Sequence, residues 1–446
     1  MFTRTLLIVI LLNLFGVINA QEKQDSVGAV ILDAETGEPI QYANIYVSST
    51  CGTISNYDGE FCLLCRPSEA VRISCIGYQR VTFLASELPA VIHMKPISTI
   101  LKEITVTRGD AIIYQLVNKM QREAKKHKKA EAQYFFRMTM QYPGTDELAE
   151  AFMSAKSCVQ IRDITFHSGS RGLLKGKKLD RTSLTGLGRT NLHNFLRLAP
   201  VLVNFDIWDF TFVPGDIVLR QMRNLYEISC VQFSEEDGTE ISKVHVTGNP
   251  TINSHPILDG TLYIDRKLCR LLRFDGQLHG LQILLYDQAR EQHFFTDIDY
   301  SMHVDYRHDH GFTEIANMSG VITKDSVRIR QLLYNLGDKK LVFSKSVRVG
   351  ENMMHAIDQV GFDSTLWTNN NIVKRTQDEE RIAFKDKTFW LSNKSKYNTF
   401  HTEQEQHTDN YLQDAIHQLM DNTMQLQRML SMPRQARQDS KRNKSK

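Results

Sequence analysis

The 446-residue chain lacks several things that would narrow its function quickly. After its first residues it has no apolar run approaching the ~20 residues of a membrane-spanning helix. It has no excess of one charge either: 54 Lys plus Arg against 51 Asp plus Glu leaves +3. A polyanionic partner is therefore not indicated by the overall charge. The basic runs at Arg122–Lys129, Lys175–Lys178 and Arg434–Lys446 read as solvated faces or chain ends, not as a nucleic-acid surface.

Catalytic signatures are also missing. None of the 15 histidines has Glu three residues later, and His-Glu-x-x-His does not occur. His355 has Asp358 at that spacing, a lone pair without a second histidine cluster. The densest imidazole region is "HVDYRHDHGF", with His303, His308 and His310 among Asp305 and Asp309. A metal site needs such ligands to converge, and here the pattern favours a polar strand-turn-strand whose side chains face outward at period two. Gly-x-Ser-x-Gly is absent. "GLGRTN" (Gly186–Asn191) carries Asn191 where a dinucleotide loop needs its third glycine. "GLLKGKK" (Gly172–Lys178) sets its glycines one residue too close for a P-loop, with Lys178 in the Ser/Thr position. No catalytic, cofactor-binding or metal residue is assigned, and no cofactor is expected.

What is present begins with "MFTRTLLIVILLNLFGVINA". One Arg precedes an apolar stretch from Leu6 to Ile18 and a small residue at Ala20, which reads as a signal peptide over 1–20. Cleavage would start the mature protein at Gln21, and export is the expectation. Seven cysteines in an exported chain permit disulfides and leave at least one thiol over. Four of them, Cys51, Cys62, Cys65 and Cys75, cluster, and at least one disulfide among them is expected. Direct Cys62–Cys65 pairing is disfavoured, because strand residues three apart point to opposite faces.

Around these cysteines the pattern is one of short strands. Val27–Leu32 leads into a turn at Gly37 and Pro39; Ala43, Ile45 and Val47 then alternate with polar positions. Asp58-Gly59 marks a tight turn from which Phe61 and Leu63 continue inward, and further strands flank Gly77-Tyr78. A small antiparallel sandwich is the predicted fold. The string "GAVILDAETGEPIQYANIYVSSTCGTISNYDGEF", followed by "ISCIGY", resembles the carboxypeptidase regulatory-like domain of exported Bacteroidetes-type proteins. That resemblance covers about residues 26–107 and implies a transthyretin-like β-sandwich in an extracytoplasmic setting. It does not imply peptidase activity, since in the namesake enzymes this domain sits beside the catalytic one. Asp58 and Tyr78 are turn and core residues before they are ligand contacts. "LKEITVT" (Leu101–Thr107) resembles the segment that follows this domain in TonB-dependent receptors.

Beyond the sandwich the period changes. Ile112, Ile113, Leu116, Val117 and Met120 share one face of a predicted connecting helix over 108–130, with Asp110 as its cap. An antiparallel β-rich domain follows over 131–350, its clearest hairpin "GTLYIDRKLCRLLRF". Its long strands resemble the curved sheets of exported lipoprotein-carrier proteins. The apolar stretch Leu184–Phe210 fills either the concave side of such a sheet or an ordinary core. A helical segment over 351–432 comes next, with Trp367 and Ile372 as anchors against the sheet, and a basic tail over 433–446. Within it, Phe362–Phe384 resembles the closing segment of exported Bacteroidetes proteins that pair the regulatory-like domain with a β-rich domain of unknown function. An amphipathic stripe from Tyr411 to Leu430 seeks a partner surface.

The fold class is thus mainly β: a transthyretin-like sandwich plus a larger antiparallel sheet domain with connecting and C-terminal helices. The function these residues favour is a non-enzymatic binding or accessory protein of the cell envelope, periplasmic or outer-membrane-associated. Its partner would be an envelope protein or surface ligand, with no nucleic acid and no transmembrane span in the mature chain. A carrier of an apolar ligand or lipoprotein on the large sheet is the alternative, and a metal-dependent hydrolase using His303–His310 ranks third.

Overall fold

The computed structural model describes residues 24–97, 109–142, 145–158, 160–176, 226–234, 238–248, 257–286, 292–324, 327–338, 340–348, 353–368, 370 and 372–384. The signal peptide expected over 1–20, Leu101–Thr107, Leu184–Phe210 and the chain from 385 onward, including the stripe from Tyr411, lie outside them. The protein is mainly β, as its sequence pattern implies, and divides into two compact units.

The first unit is a sandwich of seven short strands: β1 (Asp25–Asp33), β2 (Asn44–Ser48), β3 (Cys51–Ile54), β4 (Glu60–Cys65), β5 (Ala70–Ser74), β6 (Val81–Leu84) and β7 (Val91–Met94). One sheet has the order β4-β1-β7 and the other β3-β2-β5-β6. Strict alternation makes the core. On β4, Phe61, Leu63 and Cys65 point inward, where they meet Ile31, Ile45, Val71 and Ile73. The β3–β4 turn needs Gly59, whose φ is +74° and whose Cβ, were there one, would stand 2.6 Å from the Ile31 carbonyl. The expectation of a purely antiparallel sandwich is corrected at one place: β1 pairs with β7 in parallel, from Val30↔Val91 to Asp33↔Met94. Strands so far apart in sequence are not linked by a hairpin, so direction is free of the turn rule.

This unit also takes in Gly337–Lys339 and Trp367–Thr376. Trp367 and Ile372 therefore belong with the sandwich and not, as the sequence suggests, with the large sheet. The side chains of Thr53 and Asn56 donate to the backbone carbonyls of Ile372 (3.4 Å) and Arg375 (3.2 Å), and Lys374 pairs with Glu60 at 3.0 Å. Val373, next to Ile372, is the fully buried residue of the segment.

The second unit is built on one eleven-stranded sheet. Its strands are β8 (Glu131–Tyr142), β9 (Thr145–Cys158), β10 (Gln160–Gly176), β11 (Tyr226–Ser234), β12 (Glu240–Gly248), β13 (Ile257–Asp265), β14 (Arg270–Tyr286), β15 (Gln292–Arg307), β16 (Glu314–Lys324), β17 (Val327–Asn335) and β18 (Ser346–Arg348). The order β11-β12-β13-β14-β15-β16-β17-β8-β9-β10-β18 is an antiparallel meander from β11 to β17 that lands beside β8. Four described helices belong to the C-terminal and connecting parts of the chain: α1 (Gly109–Lys126), α2 (Met353–Val360), α3 (Thr365–Thr368) and α4 (Gln377–Phe384).

Because side chains alternate along every strand, the sheet has two chemically distinct faces. One is apolar. A single cross-strand row on it runs from Val244 through Leu262, Phe274, Val304 and Met318 to Leu333, and then to Phe136 and Ala151. Ile113, Leu116, Val117 and Met120 of α1 join this core, as do Ala356, Ile357 and Val360 of α2. Two aromatic rings lie on the face only because glycine stands beside them. Gly260 and Gly276 face each other across β13 and β14, and a Cβ at Gly276 would reach the Phe274 ring at 2.5 Å; Gly320 does the same for Tyr300.

Candidate functional site

The opposite face of the large sheet carries the ionisable groups. Its central register row reads His245, Thr261, Asp275, His303, Ser319, Leu332, then Arg137, Glu150 and Arg171 on β8 to β10. A neighbouring row supplies Arg273, Asp305 and Asn317. Charged residues of opposite sign thus face one another across the strands, the arrangement in which cross-strand pairs stabilise a sheet.

Two clusters form on this face. In the first, His303 sits between two carboxylates, with Nδ1 2.5 Å from Asp275 Oδ1 and Nε2 3.0 Å from Asp305 Oδ2. Arg273 Nε donates to Asp305 Oδ1 at 2.7 Å, and Asn317 donates to Asp305 Oδ2 at 3.0 Å. Burial alone would lower the imidazole, but Asp305 and Asp275 outweigh it and hold His303 up at about 9. Burial likewise works against both carboxylates. Arg273 and His303 overcome it for Asp305, and His303 then Arg273 for Asp275, so both sit below the usual carboxylate range. An imidazolium donating from both nitrogens has no lone pair with which to accept a proton, so His303 in this arrangement is not a general base.

In the second cluster Glu150, fully buried, accepts from Arg137 Nε at 2.8 Å and from Arg171 Nε and a terminal nitrogen at 2.9 Å each. Arg137 also reaches Glu379 of α4 at 3.2 Å, which fixes α4 over this end of the face. Phe135 lies under the Arg137 guanidinium and Phe362 against that of Arg171, each at 5.1 Å. Farther along, His167 stacks on Phe343 and bonds Ser154 and Ser346, and burial lowers it to about 4.

The histidines singled out in the sequence do not converge. His303 belongs to the charged cluster, and its side chain is 14% exposed, so it is not outward-facing as its period suggests. His308 Nε2 donates to the Leu271 carbonyl at 2.7 Å, and burial lowers its pKa. His310 Nδ1 lies 3.3 Å from Glu314, which Arg307 also holds. His355 and Asp358 are on α2, with side chains outside those described. Among the described residues no group of three or more His, Cys, Asp or Glu is arranged to hold a metal ion.

In the sandwich, Asp33 accepts from the Thr36 amide, the Tyr78 hydroxyl (2.7 Å) and the Glu35 amide, and these bonds, the Thr36 amide's foremost, lower its pKa. Tyr78 therefore closes a turn. The Asp58 amide is capped by Asn56 at 2.9 Å. The cysteines separate by face: Cys62, half-buried, meets Ser26 Oγ at 3.0 Å, while Cys65 points into the core. Cys75 lies in the same core, and Cys51 packs at its margin.

Comparison with known proteins decides the identity of this first unit. The family profile of the CarboxypepD_reg-like domain matches residues 28–106. These residues are a CarboxypepD_reg-like domain. The chain is also 32% identical over 113 residues to the TonB-dependent receptor SusC of Bacteroides thetaiotaomicron, a match covering 25% of this chain and 10% of the receptor's length. Among solved structures, similarity is found to a LolA superfamily protein of Nitrosomonas europaea (10% identity, 52% of this chain and 96% of that one, TM-score 0.20). A DUF1329 family protein of Desulfovibrio piger is similar at 10% identity over 53% of this chain and 96% of its own, with a TM-score of 0.21.

The charged clusters around Arg137 and Arg273 are absent from any reading of the motifs. Arg137, Glu150 and Arg171 sit on three different strands, while Arg273 and Asp275 on β14 meet His303 and Asp305 on β15 and Asn317 on β16, so the register brings the partners together. An Arg in the middle of the apolar run "YFFRMTMQY" is the one signal in the sequence that points there.

Proposed function

We infer that the protein is a non-enzymatic binding or accessory protein of the cell envelope. The observation that carries this reading is the CarboxypepD_reg-like domain at residues 28–106, and a 113-residue similarity to a TonB-dependent receptor supports it. The chemistry of the large sheet supports it. His303 is spent on Asp275 and Asp305, and His308 on a backbone carbonyl, which suits a scaffold better than a proton-transfer site. No helix among the described residues is long and apolar enough to cross a membrane. The partner in this reading is an envelope protein or a surface ligand, met in the periplasm or at the outer membrane.

One observation favours a second reading, carriage of an apolar ligand. The apolar face continues across the large sheet, with glycines clearing space for Phe274 and Tyr300. Retrieval of the full chain from detergent-extracted envelopes separates the two. Co-purification of an envelope protein at fixed ratio supports the first reading; stoichiometric acyl lipid without a protein partner overturns it in favour of the second.

A further inference from the structure

We propose that Cys51 and Cys65 form a disulfide that staples the two sheets of the sandwich, and that Cys51 is the residue through which it is made. In the structure neither cysteine is in a disulfide; the proposal stands on where the Cys51 sulfur lies against the end of β4 and is independent of the functional reading above. Cys51 opens β3, in the sheet β3-β2-β5-β6, and Cys65 ends β4, in the sheet β4-β1-β7. The connecting turn brings the strands back along each other, so that Cys51 Sγ lies 3.5 Å from the carbonyl oxygen of Leu64, the residue before Cys65. Burial pushes the Cys65 thiol up to about 11, and Cys51 is near enough to add to that shift.

The other cysteines are less well placed. Cys62 is on the opposite face of β4 with Ser26, as the alternation of a strand requires. Cys75 shares the core with Cys65 but follows β5, on the other side of the β4–β5 turn.

The accessible partner and the buried one have different roles. Thiol–disulfide exchange begins with a thiolate. Cys51 is partly exposed, whereas Cys65 is buried with its proton held tightly. The oxidant is a disulfide reagent, for which oxidised glutathione serves. The Cys51 thiolate attacks one sulfur of the reagent, forming a mixed disulfide and releasing one glutathione thiolate. Cys65 then gives up its proton and attacks the Cys51 sulfur, releasing the second glutathione. Two protons and two electrons pass from the cysteines to the reagent, and one intramolecular disulfide forms.

The test equilibrates the full-length chain in a glutathione redox buffer, quenches by alkylation and maps peptides without reduction. The expected result is a Cys51–Cys65 linked peptide, with the sandwich melting several degrees higher in the oxidised form. In Cys65→Ala the chain should accumulate glutathione on Cys51. In Cys51→Ala, Cys65 should remain unmodified under the same conditions. Cys62→Ser and Cys75→Ala should leave the linked peptide in place. A link from Cys65 to Cys75 or Cys62, four alkylatable thiols in oxidising buffer, or glutathione on Cys65 in Cys51→Ala would each overturn the proposal.

Discussion

Replacing Glu150 with Gln should destabilise the large sheet more than any other isosteric change on its polar face. Gln keeps the volume of Glu, so no cavity term enters. What is lost is the one charge that faces both Arg137 and Arg171. Arg137 is 1% exposed and cannot turn to water. Glu379 remains to it at 3.2 Å, and that longer contact offsets part of the cost. Arg171 is a fifth exposed and recovers hydration more easily. Removing one partner of a buried pair costs about 3–5 kcal/mol in general; with these two reliefs, about 3 kcal/mol is expected for Glu150→Gln. Urea unfolding followed by circular dichroism measures it, read on the transition of the large-sheet unit, because two units need not unfold as one. The midpoint should fall without a change in slope. A second variant, Arg137→Met with Glu150→Leu and Glu379→Leu, removes the charges of the cluster apart from the partly exposed Arg171 and should lose less than the single change. A loss under about 1 kcal/mol for Glu150→Gln, or a triple variant worse than the single one, would refute the claim that this carboxylate is a buried counterion for two guanidinium groups.

Gly276→Val forces a side chain into the Phe274 ring and should cost about 1–3 kcal/mol, seen as a lowered melting temperature. In the sandwich, Asn56→Ala removes bonds to the Asp58 and Glu60 amides and to the Arg375 carbonyl. Faster hydrogen exchange at the Asp58–Glu60 turn and at Lys374–Gln377 is expected, against unchanged exchange on β12. The charged cluster at His303 has a defined pH window. Its folded pKa is raised, so its contribution is complete below about 6.5, the unfolded value, and is lost as pH rises through about 9. Asp275 and Asp305 are lowered, so theirs is complete above about 4 and is lost as pH falls through their folded values. The stability difference between wild type and His303→Gln should therefore be flat between about pH 4 and 6.5 and shrink toward pH 9. A difference that grows above pH 7 would contradict the assignment of His303 as an imidazolium.

The sandwich was largely legible because its strands are short, alternate strictly and are separated by turn residues whose backbone needs are local. Asp58-Gly59 predicts its own geometry, and Phe61 and Leu63 follow from it. α1 was legible for the same reason: its apolar stripe from Ile113 to Met120 is the part that enters the core. The parallel pairing of β1 with β7 was not, since no local signal joins residues so far apart. Trp367 and Ile372 were expected to anchor against the large sheet but belong with the sandwich, because nothing in "NNNIVKRT" says which surface receives its carbonyls. The same limit hid the charged clusters. Arg137, Glu150 and Arg171 look like exposed strand residues until register sets them side by side. The "HVDYRHDHGF" stretch misled in the opposite way: its histidines are close in sequence, yet strand alternation and the turn send His303, His308 and His310 to different partners.

In the proposed function the protein binds another component of the envelope. Cross-linking in intact envelopes, followed by mass-spectrometric mapping of linked lysines, tests this most directly. Exposed lysines such as Lys95 of the sandwich or Lys243 of the polar face should join this chain to one recurring envelope protein. Recovery of the chain linked only to itself, with an acyl lipid bound in stoichiometric amount, would contradict it.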